Sequence, residues 1–168
     1  MKRVITYVVL IVLCYVLQVS VFSYFKMAGI IPNIMLILVV SFSLMRGQTE
    51  GMLLGFFAGL VVDIMGGQDL GLYALIFTCM GYGNGFFNQI FYANNILLPL
   101  AMILGNSIAY NFVMYVCGFL LRNRTDFLFY LIHVMLPEVV YTFFVALFLY
   151  NLFLYINNKL EDYTKRSA

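Results

Sequence analysis

Residues 47–63 read GQTEGMLLGFFAGLVVD. Glycine recurs every fourth residue, at Gly47, Gly51, Gly55 and Gly59, and the next step of four is Asp63. Residues four apart stack nearly one above another on a helix. Inside a helix in water, Gly is about 1 kcal/mol worse than Ala. A carboxylate closing an apolar run is a further cost. One face of one segment carries both, so the first question is what solvent surrounds it.

Composition answers that. Of 168 residues, 64% are hydrophobic and 10% charged, with a mean hydropathy of +1.00. Soluble domains carry roughly 25% charged residues, so this chain could not cover its own surface in water. Its charges cluster at Lys2 and Arg3, at Arg46 and Glu50, from Arg122 to Asp126, and from Lys159 to Arg166. Between them lie apolar runs near the roughly 20 residues that a helix needs to cross a bilayer. The chain is read as an all-α integral membrane protein whose surrounding partner is lipid.

The net charge of +2 is too small and dispersed for nucleic-acid binding. Cys14, Cys79 and Cys117 each stand alone in an apolar run, without a CxxC, and read as small packed hydrophobes. Lys2 and Arg3 followed by an apolar run imitate a signal peptide. The run continues to about Tyr24, past the roughly 7–15 residues of a signal core, and lacks an A-x-A cleavage site. It reads as a retained first span.

Breaking the apolar runs at charges, Gly and Pro predicts about six helices, near 4–25, 30–46, 49–66, 70–91, 96–121 and 128–156. This makes 1–156 one transmembrane domain and 157–168 a short polar tail. Pro32 suits the first turn of the second helix, with Asn33 beside it to satisfy free amides. GYGNG at 81–85 either packs closely or breaks the fourth helix. The last run holds Pro137, so either 127–136 lies along the interface or one long helix kinks there. With six spans, Lys2, Arg3, Arg46, Lys159, Lys165 and Arg166 share one side, against Lys26, Arg122 and Arg124. That asymmetry favours both termini in the cytoplasm.

Gly51, Gly55 and Gly59 form a groove with Ala58 beside it. Lipid supplies no hydrophobic drive between helices, so close approach at small residues holds them together. The groove therefore serves packing within the chain or docking of a partner's helix. Asp63 extends the same face. An intramembrane carboxylate is a candidate functional site, but one near a helix end also serves as a cap, and Asp69 is a candidate cap for the next helix. A second polar set is Asn106, Tyr110, Asn111 and Glu138. It reads as a hydrogen-bonded junction of helices five and six or as a ligand or proton site. No nucleophile elbow, intramembrane protease signature or metal-ligand spacing is present, so no catalytic, cofactor or metal residue is assigned and the chain is not read as an enzyme.

Several of these features occur together in one family. Pro32 and Asn33 open a short helix, a Gly-spaced helix ends G-F-F-x-G-L-x-x-D at Gly55 to Asp63, and L-G-L-Y-A-L follows at Leu70 to Leu75, with Gly81 beyond. With the weaker L-P-E-V-V-Y…Y-N at 136–151, the arrangement resembles the bacterial rod shape-determining protein MreD family. The resemblance implies a multi-pass plasma-membrane subunit of the elongation machinery, without catalysis. It would bind MreC and act indirectly with MreB and the peptidoglycan synthases. It also implies a bundle like the substrate-binding S-components of vitamin transporters. The alternative is accordingly an S-component-like subunit carrying a small molecule, although the first helix lacks the Ala-x-x-x-Ala docking motif of such subunits.

Overall fold

A computed structural model describes residues 2–24, 31–66, 71–90, 96–117 and 130–165. Six helices make up the described residues, with no strand among them. They are α1 (Lys2–Tyr24), α2 (Ile34–Arg46), α3 (Gln48–Met65), α4 (Leu72–Gly85), α5 (Leu97–Tyr115) and α6, whose regular part is Leu136–Lys165. The spans α3, α5 and α6 are long and apolar enough to cross a membrane, and Ile5–Ser20 and Ile34–Arg46 are shorter apolar helices.

The centre of the bundle is α2. Every residue from Ile34 to Met45 is buried, because α1, α3, α4, α5 and α6 all pack around it. Thirteen residues rise about 20 Å, less than the roughly 30 Å of the hydrocarbon core. Its N-terminal end, where Pro32 and Asn33 are buried, is enclosed, and away from water an unpaired backbone group costs several kcal/mol.

The chain meets that demand donor by donor at the N-terminus of α2. Asn33 is the N-cap and accepts the Leu36 amide at 3.0 Å on its side-chain oxygen. The Ile34 amide goes to the Pro32 carbonyl. The Met35 amide donates to Gln18 Oε1 of α1 at 3.2 Å, and the Asn33 amide to Thr142 Oγ1 of α6 at 3.2 Å. Pro32 thus lies just outside the helix, not in its first turn as the sequence predicts, because Asn33 occupies the capping position.

At the opposite end, Gly47 alone joins α2 to α3. It adopts φ +93° and ψ −172°, a region essentially confined to glycine that costs a residue with a Cβ about 1–3 kcal/mol. Its amide donates to the Ser43 carbonyl, and Asn88 Nδ2 donates to the Leu44 carbonyl at 2.6 Å. Arg46 Nε donates to Asn157 Oδ1 at 2.6 Å, and Tyr7 OH donates to Glu50 Oε2 at 2.5 Å. These bonds bring the start of α1, the α2–α3 turn and the late part of α6 to one end of the bundle.

Two helix ends differ from expectation. The fourth helix keeps α geometry through GYGNG to Gly85 and then tightens into a 3-10 turn, Phe86–Ile90. The last helix is continuous and runs to Lys165, beyond the predicted end at 156. A π-helical turn, Leu131–Met135, precedes Pro137, and the Leu136 amide bonds to the Leu131 carbonyl. Proline lacks an N–H and its ring clashes with the carbonyl four residues back. One wide turn absorbs both problems.

Candidate functional site

The glycine face of α3 meets α4, the neighbour it contacts most extensively. A Cβ on Gly55 would fall within 3.0 Å of the Phe77 carbonyl, and one on Gly59 within 3.0 Å of the Ala74 backbone. Gly51 and Gly81 face each other, so that a Cβ on either would strike the backbone of the other. The Ser43 hydroxyl of α2 donates to the Gly81 carbonyl, so three helices close on that point. The groove is filled by α4, not left open for a partner's helix, because Ala74, Gly81 and Gly85 supply a matching small-residue face.

Asp63 completes the pairing. Gly71, at φ +96°, begins α4 without a side chain to cap it. The Asp63 carboxylate, 1% exposed, accepts the Tyr73 amide at 3.1 Å and the Ala74 amide at 2.9 Å. A negative group at a helix N-terminus is favourable, and hydrogen bonds to a charged group contribute about 1.5–3 kcal/mol. Asp69, the cap expected from sequence, lies outside the described residues.

The second polar set divides in two. Tyr110 hydrogen-bonds to Tyr73 of α4, and Glu138 to Asn111. Asn111 Nδ2 also donates to the Ser107 carbonyl at 3.0 Å, and Tyr130 OH lies 3.5 Å from Asn111 Oδ1. Asn106 turns away from this cluster to α4. Its side-chain amide and that of Asn84 exchange two hydrogen bonds of 2.8 Å. Each also donates to its own helix, Asn84 to the Met80 carbonyl and Asn106 to the Met102 carbonyl, both at 2.7 Å. Asn84, Tyr73, Gln18 and Ser43 are absent from the sequence-derived candidates. Their one available signal is a polar side chain inside an apolar run.

Around the asparagine pair, α4 and α5 stand apart. A groove of about 540 Å³ runs between them, walled by Leu75, Cys79, Gly83, Phe87, Met102 and Val113. A Cβ on Gly83 would meet nothing within 4 Å. Among the described residues no cluster of His, Cys, Asp and Glu has the makings of a metal site.

The profile of the rod shape-determining protein MreD family matches residues 1–159 of this chain. The chain belongs to the MreD family. It is accordingly a multi-pass, rod shape-determining membrane protein and not an enzyme. No curated protein and no solved structure matches it. Within the MreD frame, Asp63 and the glycine face have a defined structural task, joining α3 and α4 into one hairpin.

Proposed function

We propose that this MreD protein acts as a helix-binding subunit of the elongation machinery, receiving the membrane helix of MreC in the α4–α5 groove. Through MreC it would support MreB and the peptidoglycan synthases in the plasma membrane. The observation that carries the reading is the groove itself: two helices held apart, with Cys79, Gly83 and Ala109 keeping its walls low. Close approach at small residues is how helices associate in lipid. The Asn84 and Asn106 oxygens at its base each accept one bond from the other's amide, and an amide oxygen has two lone pairs. A polar side chain of an entering helix can bond there, whereas an acyl chain cannot.

The transport-subunit reading has less behind it. Asn106, one of the four residues expected to line a single cavity, pairs with Asn84 instead.

Cys79 lies exposed in the groove and is a native probe. With Cys14 and Cys117 replaced by Ala, it should crosslink to single cysteines placed along the MreC membrane helix, with a period of three to four residues. Co-purification of the two proteins without any Cys79 crosslink would rule out this groove.

A further inference from the structure

One side chain on the outer face of α6 has a demand that lipid cannot meet. Asn151 is exposed, and among the described residues its side chain makes one hydrogen bond, from Nδ2 to the Leu147 carbonyl of its own helix at 3.3 Å. One N–H and the amide oxygen are left over. Asn151 belongs to the apolar span Leu131–Lys159. It lies six residues, about 9 Å, inward of Asn157, whose bond to Arg46 marks the polar end of the bundle. Hydrocarbon offers an amide no partner, so the group is costly there unless another helix supplies one.

The residues around Asn151 form a seam. Phe144, Phe148, Asn151, Tyr155 and Asn158 are all exposed, Phe148 at 83%. Their spacing of 4, 3, 4 and 3 is that of the contact line in a left-handed helix pair, and they fall within about 80° around the helix. Thr142, Ala146, Tyr150 and Phe153, all buried, centre on the opposite side. The seam therefore faces straight away from the bundle.

We propose that this seam binds a second copy of the chain, α6 against α6 about a two-fold axis along the membrane normal, with the two Asn151 amides exchanging hydrogen bonds. Copies of one chain share an orientation in the membrane, so this symmetry sets every seam residue at the depth of its counterpart. Asn151 then meets Asn151. A side chain that carries both donors and an acceptor is its own complement. The same pairing already exists inside the chain, where Asn84 of α4 and Asn106 of α5 exchange two bonds of 2.8 Å. A helix of another sequence would have to bring an amide to that depth; a second copy does so by symmetry. A single Asn on an otherwise apolar seam also fixes register and copy number. Phe144 and Phe148 on one side of it, and Tyr155 on the other, fill the contact. No seam residue lines the α4–α5 groove, so the pairing leaves the walls of that groove untouched.

Full-length protein fused at its C-terminal end to donor or acceptor fluorescent proteins is co-reconstituted in liposomes, and energy transfer is followed as the protein is diluted with lipid. Transfer should saturate at one donor per acceptor. Asn151→Leu should weaken the association about tenfold, the equivalent of about 1.4 kcal/mol and in keeping with interhelical hydrogen bonds in model peptides. Asn151→Gln, which keeps a donor and an acceptor, should retain most of it. Leucine suits a lipid-facing site, so the thermal unfolding of Asn151→Leu should be no lower than that of the wild type. In a background with the three native cysteines replaced by Ala, Phe148→Cys and Tyr155→Cys should each give disulfide-linked pairs. Phe112→Cys, at a site 55% exposed on α5, should not. Transfer no greater than random crowding gives, association unchanged by Asn151→Leu, or pairing through residue 112 as readily as through the seam overturns the proposal. So do seam cysteines that link to co-expressed MreC and never to each other. The energy-transfer measurement needs no cysteine change and decides the matter even if the cysteine-free background misfolds.

Discussion

Ala74 is held twice by α3: its backbone packs against Gly59, and its amide donates to Asp63 at 2.9 Å. The two contacts lie one helical turn apart and depend on each other. Only a residue without a Cβ at 59 lets the α4 backbone come so near, and only that approach brings the Ala74 amide within reach of the carboxylate. The glycines and the acid on one face are therefore parts of one junction. The helix-propensity cost in water does not transfer to a setting where the alternative is an unpaired amide in lipid.

Asp63→Asn should lower stability moderately and Asp63→Ala more. An amide side chain offers one good acceptor, which leaves one of the two α4 amides unpaired at a cost of about 1–3 kcal/mol. Alanine leaves both unpaired. Unfolding of the purified protein in mixed micelles measures the difference. An Asn variant with wild-type stability that no longer supports rod shape would give Asp63 a chemical role beyond capping.

Gly55→Leu and Gly83→Leu should separate folding from binding. At Gly55 the new side chain meets the Phe77 carbonyl, and overpacking typically costs about 1–3 kcal/mol or more. At Gly83 there is open space, and replacing Gly in a helix gains up to about 1 kcal/mol in propensity. The Gly83 variant should fold normally and fail to retain MreC on purification. Normal MreC retention by Gly83→Leu would count against the α4–α5 groove.

The helices were legible because apolar runs and charge clusters mark spans directly. The glycine period was legible as a packing face, but a period names a face and not its partner; the partner follows from Gly81 and Gly85 lying opposite on α4. Asn106 shows the limit of spacing. It stands five residues before Asn111, which places the two about 140° apart around the helix. That offset is enough to send Asn106 to Asn84 of α4 while Asn111 reaches Glu138 of α6. Capping was legible as one reading of Asp63, but its target was not. Its acceptors lie on the same face as the glycines, but the amides it serves are ten and eleven residues on, fixed by a chain reversal that local sequence rules do not specify.

The Asn84–Asn106 exchange should appear as coupling in a double-mutant cycle. Each single change to Ala leaves the other amide with an unpaired donor and acceptor. Removing both leaves neither. Interhelical hydrogen bonds measured this way in membranes average about 0.6 kcal/mol and reach about 1.7, and a two-bond exchange belongs toward the upper figure. Additive effects of Asn84→Ala and Asn106→Ala would mean that the pair does not hold α4 to α5.

Both termini should face the cytoplasm. Tyr7, Arg46, Glu50 and Asn157 are tied by hydrogen bonds at one end of the bundle, so the beginning of α1 and the late part of α6 lie on the same side. Of the nine basic residues, Lys2, Arg3, Arg46, Lys159 and Lys165 belong to helices that begin or end there, and Arg166 follows Lys165 in sequence. Lys26, Arg122 and Arg124 fall in sequence between α1 and α2 and between α5 and α6. Excess Lys and Arg in short flanking segments is retained on the cytoplasmic side. Alkaline phosphatase fused after residue 166 should be inactive and a fluorescent protein at the same place bright. Fusions within the α1–α2 and α5–α6 connections should give the reverse. Opposite locations for the two termini would require an odd number of crossings and would break the six-helix arrangement. Both termini outside would keep the fold but invert it, placing the Asp63 junction toward the cytoplasm.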